Sequence, residues 1–445
     1  MSILSEKEAK AILKKVLAFS RADECECNLT GQKSGNIRYA RNTVTTAGEV
    51  NDLTLVVQSS FGKKSGVATI NEFDDASLEK VVRRSEELAK LAPENPEYMP
   101  ILGPQKYKQS KTNFSSTANI TPEVRAKAAD DSISPSKKNK LIASGFLNDN
   151  QNMSAIMNSK GLFAYNVSTD VSFSATIRTE DGKGSGWVTR DYSDVKHLDT
   201  AKASRIAIDK STGSVDAKEM EPGRYTVILE PAASVQLLQN MVGSMGQRGA
   251  DEGRSFLSYK PKEGEENPPK NRLGEKMFDQ RVNIYTDPEH PEVPLAPFGG
   301  DGHPREKMYW IKDGKIENMP NSRYWAKKTG VEYKPGSGQF IMDGGDKSLQ
   351  EMIKGTRHGI LVTRLWYIRA VDPQTQLYTG LTRDGTFYIE DGKIKYPVKN
   401  FRFNESPIVM LNNIEELGKP VRINGNMVPP MKVRDFTFSS LSDAV

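Results

Sequence analysis

The sequence has few of the residues that build disulfide frameworks or conventional zinc sites, with 2 cysteines and 4 histidines among 445 residues. Cys25 and Cys27 alternate along a predicted strand and therefore share one face. A disulfide between positions i and i+2 of a strand is geometrically poor, so we expect buried or partly buried free thiols. The N-terminus also lacks the basic start and small-residue cleavage site of a signal peptide. These absences predict a protein of a reducing cytoplasm.

The sequence also lacks long apolar runs and any strong excess of charge of one sign. No apolar run reaches 18 residues, which argues against a membrane-spanning helix. The chain has 62 Lys and Arg against 57 Asp and Glu, a net charge of +5. Nucleic-acid binders usually concentrate basic residues on one face or tail, whereas this chain has only short basic runs. The composition therefore predicts a soluble protein and disfavours direct DNA binding.

The patterning predicts an α+β fold with more than one domain, because a chain of 445 residues is longer than a single core usually serves. Ser5 and Glu8 form a capping-box pattern at the start of a helix over 5–20. Strand-like segments and a second helix follow. Thr121-Pro122 begins a second helix–strands–helix segment that closes with a helix over 199–210. The two segments predict a layered N-terminal half, built as one sheet or as two related ones.

Short strands and tight turns dominate the rest of the chain. Asp313-Gly314 and Asp391-Gly392 are typical hairpin turns, and they predict a β-rich C-terminal domain with a barrel-like or sandwich sheet. The charged, proline-rich stretch 259–272 is interpreted as a lid or as a solvated connection. The predicted boundaries are 1–115 and 116–218 for the two parts of the N-terminal domain, and 219–445 for the C-terminal domain.

The stretch from Gly223 to Ser258 contains the most informative helix of the chain. A β-branched strand precedes Pro231, which suits the first turn of a helix because its missing N–H would be unpaired there. Apolar residues then recur at helical spacing, and Gly246 and Gly249 are predicted to end the helix. The polar exceptions within this apolar pattern are Gln239, Asn240 and Ser244.

The segment LLQNMVGSMGQ resembles the helix of the TldD/PmbA (TldE) family of peptide-maturation proteins, also called modulators of DNA gyrase. In the TldD branch this helix reads LHEAVGHxxE, an HExxxH motif whose two imidazoles bind zinc while the glutamate activates water. By this resemblance Gln239 and Ser244 stand at the two histidine positions, and Asn240 stands at the glutamate. The family's third ligand, a cysteine near the C-terminus, is missing because no cysteine follows Cys27.

Other segments extend the resemblance over nearly the whole chain, namely FGKKSGVATINEFDDASLEKVVRRS, RLGEKMFD, YWIKDGKIENM and GTFYIEDGKI. The resemblance implies the TldE/PmbA branch, whose members accompany TldD rather than cut peptides themselves. We therefore expect no catalytic residue, zinc or other cofactor in this chain. We expect a TldD-like partner that holds the zinc and an unfolded peptide as substrate, with a homodimer or a monomer as the alternatives for the chain in isolation. The alternatives are a stand-alone metallopeptidase with unconventional ligands and a regulatory protein acting on DNA gyrase or DNA.

The spacing of the motif positions raises the question whether the side chains of Gln239 and Ser244 can face the same metal ion. Positions 239 and 244 are about 140° apart on a helix that turns ~100° per residue. Both side chains would face one metal only if the turn widened. Gly243 would ease such a π-type bulge, or would merely allow close packing.

Other candidate site residues come from the few histidines and from one basic strand. His197, His290, His303 and His358 include no i, i+4 pair, so a metal site would need distant histidines to come together. Arg357, His358 and Arg364 precede or lie on a predicted strand. By resemblance to the catalytic branch they could hold a peptide's carboxylates or its C-terminus, and the alternative is surface or packing charge.

Overall fold

The computed structural model describes residues 3–442 and has an α+β fold with three sheets. The longer helices are α1 (Glu6–Phe19), α2 (Asp75–Leu91), α4 (Pro122–Lys138), α5 (Thr200–Gly213) and α6 (Pro231–Gly243). The shorter helices are α3 (Ser115–Ala118), α7 (Gln247–Asp251), α8 (Arg323–Thr329), α9 (Leu349–Lys354) and α10 (Pro407–Asn412), with a 3-10 turn at Val195–His197. Within the described residues, no helix combines the length and the apolar character needed to cross a membrane.

The strands form three sheets, one from the first part of the chain and two from C-terminal strands that alternate in sequence. The first sheet contains β1 (Glu24–Ala40), β2 (Thr43–Phe61), β3 (Lys64–Ile70), β4 (Leu141–Asn158), β5 (Phe163–Thr179) and β6 (Ser185–Tyr192). The C-terminal strands are β7 (Gly223–Leu229), β8 (Ile284–Thr286), β9 (Met308–Lys312), β10 (Lys315–Ile316), β11 (Ile341–Met342), β12 (His358–Asp372), β13 (Leu377–Glu390), β14 (Lys393–Pro397), β15 (Phe401–Glu405), β16 (Ile414–Leu417), β17 (Val421–Ile423), β18 (Asn426–Val428) and β19 (Met431–Leu441).

The two helix–strands–helix segments share one antiparallel sheet of strand order β3-β2-β1-β4-β5-β6. Each segment contributes a three-stranded meander, and β1 pairs with β4 at the centre. Alternate residues of β1 supply two separate hydrophobic clusters on the same face, Cys25 and Cys27 to one and Ile37 and Tyr39 to the other. The first cluster packs under α1 and α2 and the second under α4 and α5. Of the two predicted arrangements, the single sheet is therefore the one found.

Two local predictions for this half are confirmed by the contacts. At the start of α1, the Ser5 N–H donates to Glu8 Oε2 at 2.8 Å and the Glu8 N–H donates to Ser5 Oγ at 3.3 Å, which completes the capping box. The Cys25 and Cys27 thiols are free and buried, with their sulfur atoms 3.9 Å apart. Thr121 does occupy the N-cap position of α4, but its side chain makes no capping hydrogen bond.

An ion cluster around the buried Arg125 side chain separates the two hydrophobic clusters. Glu49, Gly35 and Asp149 lie side by side across β2, β1 and β4. The Arg125 guanidinium from α4 lies over Gly35, where a Cβ atom would come within 1.8 Å of it. Arg125 donates from Nε and Nη2 to Asp149 at 2.6 and 2.9 Å, and from Nη1 to Glu49 at 2.8 Å. Arg125 therefore holds three strands and one helix together.

The C-terminal region contains the predicted barrel. Strands β12, β7, β19, β15 and β13 follow one another, and pairing of β13 with β12 closes the ring. The predicted turns at Asp313-Gly314 and Asp391-Gly392 are confirmed, because both residues of each pair have positive φ, as a type I′ hairpin requires. A second, mixed sheet of order β10-β9-β8-β11-β18-β17 lies beside the barrel and shares a hydrophobic core with it.

The stretch between α2 and α3 joins the first sheet to the C-terminal region. The Tyr107 hydroxyl donates to the Gly302 carbonyl at 2.7 Å, and the Ser110 hydroxyl contacts the carbonyls of Pro288 and Leu295 at 2.8 and 2.7 Å. Phe298 packs with buried residues of β4 and β5 in a small cluster. The stretch between α2 and α3 is therefore packed against both halves.

A half-buried carboxyl at this junction, that of Glu26, makes stability depend on pH. Burial, together with the nearby Asp301 carboxylate, raises the pKa of Glu26 to about 6. The folded state therefore favours the protonated form, and this contribution is complete below the unfolded-state pKa and is lost as the pH rises through about 6. We expect Glu26→Gln to stabilise the protein by about 1–2 kcal/mol at pH ~8 and to change little at pH ~4. Urea titrations at both pH values test this, with the exposed Glu94→Gln as control. Equal effects of Glu26→Gln at both pH values would contradict it.

Candidate functional site

Helix α6 carries the degenerate motif, and its first turn is fixed by two neighbours. The Glu230 N–H, at the N-cap position, donates to the Val362 carbonyl of β12 at 3.0 Å. The Glu230 carboxylate accepts two hydrogen bonds from the Lys210 ammonium of α5, at 2.7 and 2.8 Å. Pro231 follows at the first helical position, as predicted. These contacts anchor the helix between the barrel and the first sheet.

The motif residues lie at the end of this helix. Its apolar side chains, including Leu237, Leu238 and Met241, are fully buried, whereas Gln239 and Asn240 are half-buried. The helix ends at Gly243, and Ser244 is its C-cap with its N–H bonded to the Met241 carbonyl at 3.0 Å. The Ser244 hydroxyl donates to the Asn240 carbonyl at 2.8 Å. Ser244, at the third motif position, is therefore the cap of the helix and not a residue within it.

The structure corrects two expectations for this helix. It ends before Gly246 and Gly249, which were predicted to end it, and the short helix α7 begins at Gln247. Gly243 neither opens a widened turn nor allows close packing. It is exposed at the last position of an α-helix, and a Cβ atom placed there would have no neighbour within 4 Å.

A side chain at position 243 should therefore be tolerated. We expect Gly243→Ala to stabilise the protein by about 0.5 kcal/mol, because alanine loses less conformational freedom in a helix than glycine. Thermal unfolding measures this. The matched control is Gly66→Ala, where the new Cβ would lie 2.2 Å from the Ala89 nitrogen of α2, so it should be destabilising. A destabilising Gly243→Ala would show that the glycine is needed.

The residues present do not fit a zinc ion. Carboxamide and hydroxyl groups are poor Zn²⁺ ligands compared with imidazole and thiolate, and the Ser244 hydroxyl already bonds to the helix backbone. Within residues 3–442, no group of three or more His, Cys, Asp or Glu side chains is placed to hold a metal ion. Asn240, which lacks a carboxylate, cannot serve as a general base for water. The motif positions therefore provide neither the ligands nor the base of the HExxxH site.

The predicted peptide-binding residues occupy one strand but different environments. Arg357 and His358 are exposed at the start of β12, where His358 Nδ1 lies 3.1 Å from the Tyr388 hydroxyl. Arg364 lies further along β12, donates to Asp384 at 3.0 Å and stacks over the Trp187 ring at 4.3 Å. Burial lowers the pKa of Arg364. Arg357 and His358 are thus accessible, whereas Arg364 already has a carboxylate partner.

Sequence reasoning missed the cluster around Asp384. Val362 pairs with Thr386 and Arg364 with Arg383, so Asp384 and Gly385 together lie opposite Thr363 as a β-bulge. Asp384 is buried with φ of +56°, and it accepts a hydrogen bond from the Ser185 hydroxyl of β6 at 2.7 Å.

A cavity of about 390 Å³ opens beside this cluster, lined by residues of both the first sheet and the barrel. The signal in the sequence was the Asp384-Gly385 pair, which resembles the two hairpin turns but lies inside a strand.

Three domain profiles match the chain along most of its length. They are PmbA/TldA metallopeptidase domain 1 over residues 25–89, the central domain over 115–212 and the C-terminal domain over 222–440. The chain belongs to the PmbA/TldD family. The C-terminal match contains the whole of α6 and the barrel, so the helix compared above with the zinc-binding helix lies within the matched family domain.

Relatives and solved structures of the PmbA/TldD family agree with this assignment. A metalloprotease of Methanothermobacter thermautotrophicus is 23% identical over 301 residues, and the alignment spans 62% of each chain. The metalloprotease PmbA of Escherichia coli O157:H7 is 22% identical over 343 residues, 71% of each chain.

Two solved structures share the fold. TldE from Thermococcus kodakarensis has a TM-score of 0.84 at 17% identity, covering 98% of this chain and 100% of its own. A putative modulator of a DNA gyrase from Thermotoga maritima also has a TM-score of 0.84, at 16% identity, covering 97% of this chain and 100% of its own.

Proposed function

We propose that this chain is the non-catalytic, TldE-like subunit of a cytoplasmic TldD/TldE-type metallopeptidase that processes or degrades unfolded peptides. The observation that carries the proposal is the chemistry at the end of α6. The family helix is present, yet Gln239, Asn240 and Ser244 offer two amides and a helix-capping hydroxyl. Zinc and the water-activating carboxylate would then belong to a TldD-like partner.

The match to relatives named metalloproteases supports a role in proteolysis, and the shared fold with TldE supports the choice of branch. The chain's own contribution would be to shape the peptide cavity beside the partner. Arg357 and His358 are the exposed candidates for contacting a peptide's carboxylates. Arg364 would act through its ion pair with Asp384, holding β12 in place.

The test is reconstitution with a TldD-like protein of the same organism. The two chains should co-purify, and an unfolded peptide should be cut by the pair but not by this chain alone. Replacing the motif glutamate of the partner by glutamine should abolish cleavage, whereas Asn240→Ala in this chain should leave it unchanged. Cleavage by this chain alone, or loss of cleavage with Asn240→Ala, would overturn the proposal.

Peptide contact is tested separately within the reconstituted pair. Arg357→Ala combined with His358→Ala should raise the KM for an acidic peptide and leave kcat unchanged, because these residues would bind substrate without taking part in the chemistry. Lys354→Ala, an exposed change at the end of α9, is the matched control. An unchanged KM would remove Arg357 and His358 from the proposed site.

A further inference from the structure

A cavity of about 430 Å³ lies next to the C-terminal end of α6. Ser255 lines this cavity, and its hydroxyl donates to the carbonyl of Ser244, the helix cap, at 3.2 Å. The turn that follows β12, with Gln374 and Thr375, and residues of α10 form other parts of the wall. The volume is within the range of about 300–1,000 Å³ that is usual for small-ligand sites.

Much of the cavity wall is apolar. Phe256 belongs to the buried core of the C-terminal region, and Met277 and Ile408 are partly buried and pack against that core. Val409, also in the wall, is 47% exposed. The cavity therefore offers an apolar surface that could accept one side chain of a ligand.

The charged side chains that line the cavity are both cations, Lys260 and Arg272. Within residues 3–442, Lys260 forms no ion pair, and Arg272 has only a 3.5 Å contact with Glu275. Asp372 lies near Lys260, but its carboxylate already accepts two hydrogen bonds inside its own turn, at 2.9 and 2.6 Å. The cavity therefore favours an anionic group beside an apolar one.

The two cations belong to the charged, proline-rich stretch 259–272, and the base of this stretch is held in place. Ser258 and Asn271 form a β-bridge there, and the Asn271 side chain donates to Asp251 of α7 at 2.5 Å. Arg272 donates from Nε to the Ser258 carbonyl at 3.2 Å. The stretch therefore brings both cations to the cavity without a closing movement.

We propose that this cavity binds the C-terminal residue of a peptide when that residue has an apolar side chain. The side chain would pack on Phe256, Met277 and Ile408. The α-carboxylate would face Lys260 and Arg272. A C-terminal residue carries both groups on one Cα atom, whereas an internal aspartate or glutamate has a carboxylate but no apolar side chain of its own. The inference deepens the proposed function, from which it takes the peptide as the substrate class.

This cavity is distinct from the place of Arg357 and His358. Those two residues lie at the start of β12, whereas the cavity adjoins the turn after the end of the same strand, which is 15 residues long. They would therefore contact other carboxylates of a bound peptide, not the C-terminal one.

Fluorescence anisotropy with short peptides tests the inference on the full chain without a partner. The probe is a pentapeptide of glycine and serine that ends in leucine and carries a dye at its N-terminus. We expect its free acid to bind about tenfold more tightly than its C-terminal amide, because the amide lacks the charge. A free acid that ends in serine should also bind about tenfold more weakly, since it lacks the apolar side chain. An amidated peptide with aspartate before the leucine should bind as weakly as the amide.

Charge reversal at Lys260 provides the matched comparison. Lys260→Glu should weaken binding of the free acid about tenfold and leave binding of the amide unchanged, because Lys260 would contact only the carboxylate. Lys262→Glu makes the same change in net charge two residues away, outside the cavity wall, and should have little effect. Both lysines are exposed, so both variants should fold, which circular dichroism checks.

Four results would overturn the inference. They are no binding of the free acid to the wild-type chain, equal binding of free acid and amide, equal losses with Lys260→Glu and Lys262→Glu, and tight binding of the amidated aspartate peptide. The reconstitution test is separate from these measurements. A chain that binds the free acid but forms no active pair would contradict only the proposed function, and an active pair whose chain binds no free acid would contradict only this inference.

Discussion

Arg125→Leu is expected to lower the free energy of unfolding by about 3–5 kcal/mol, because it leaves a buried carboxylate without its cation. The side chains of Arg125 and Asp149 are 4% and 9% exposed and share two short hydrogen bonds. These hydrogen bonds to carboxylates raise the pKa of Arg125, so it stays charged. Leucine would fill part of the space but would supply no hydrogen-bond donor to Asp149. The ion cluster that lies between the two hydrophobic clusters would also be lost. Urea denaturation measures the loss.

The matched control lies two residues further along the same helix. Lys127 pairs with Asp131 at 2.8 Å, but its side chain is 72% exposed, so Lys127→Leu should change stability by less than about 0.5 kcal/mol. Adding Asp149→Leu to Arg125→Leu removes the buried unpaired charge and should recover part of the loss. An Arg125→Leu effect no larger than that of Lys127→Leu would show that the ion cluster does not stabilise the sheet.

Asp384→Leu is expected to have the second large effect, a loss of about 3–5 kcal/mol, since Arg364 would stay half-buried without its carboxylate. Asp384 also accepts from Ser185, so it connects the barrel to the first sheet. Its φ of +56° adds strain for leucine but not for asparagine, which tolerates the left-handed region. Asp384→Asn should therefore cost only about 1–3 kcal/mol, the value of the charged hydrogen bond.

A control substitution at Asp391 separates the cost of left-handed backbone strain from the cost of losing the ion pair. It has φ of +48° in an exposed hairpin turn, so Asp391→Leu introduces the left-handed strain without removing a buried ion pair. We expect about 1–2 kcal/mol from that substitution. If Asp384→Leu costs no more than Asp391→Leu, the ion pair with Arg364 contributes nothing, and the role of Asp384 is limited to its turn-like backbone.

Local patterns were sufficient to predict the regular parts of this fold. The capping box at Ser5, the proline at the start of α6 and the two Asp-Gly hairpins depend on neighbours within a few residues, and all three are present. The barrel followed from the many short strands with tight turns. The pairing of β1 with β4 was left open, because it joins segments more than a hundred residues apart and leaves no local pattern.

The candidate site shows the same division. The family resemblance placed the motif at 239, 240 and 244, and the prediction that these residues do not bind zinc depends on their chemistry rather than on their position. The end of the helix at Gly243 was not predicted, since Gly246 and Gly249 offered equally good stop signals. The Asp384 cluster could not be foreseen, because Ser185, Arg364 and Trp187 meet there only through packing of the first sheet against the barrel.

Zinc stoichiometry of the isolated chain tests the central claim most directly. The purified protein is incubated with excess zinc, freed of unbound metal and measured by elemental analysis, beside a Gln239→Ala/Ser244→Ala variant and His358→Ala. We expect far less than one zinc ion per chain in all three, and no cleavage of unfolded peptides. One zinc ion per wild-type chain, lost with either variant, together with peptide cleavage, would contradict a non-catalytic subunit and identify a metallopeptidase with unconventional ligands.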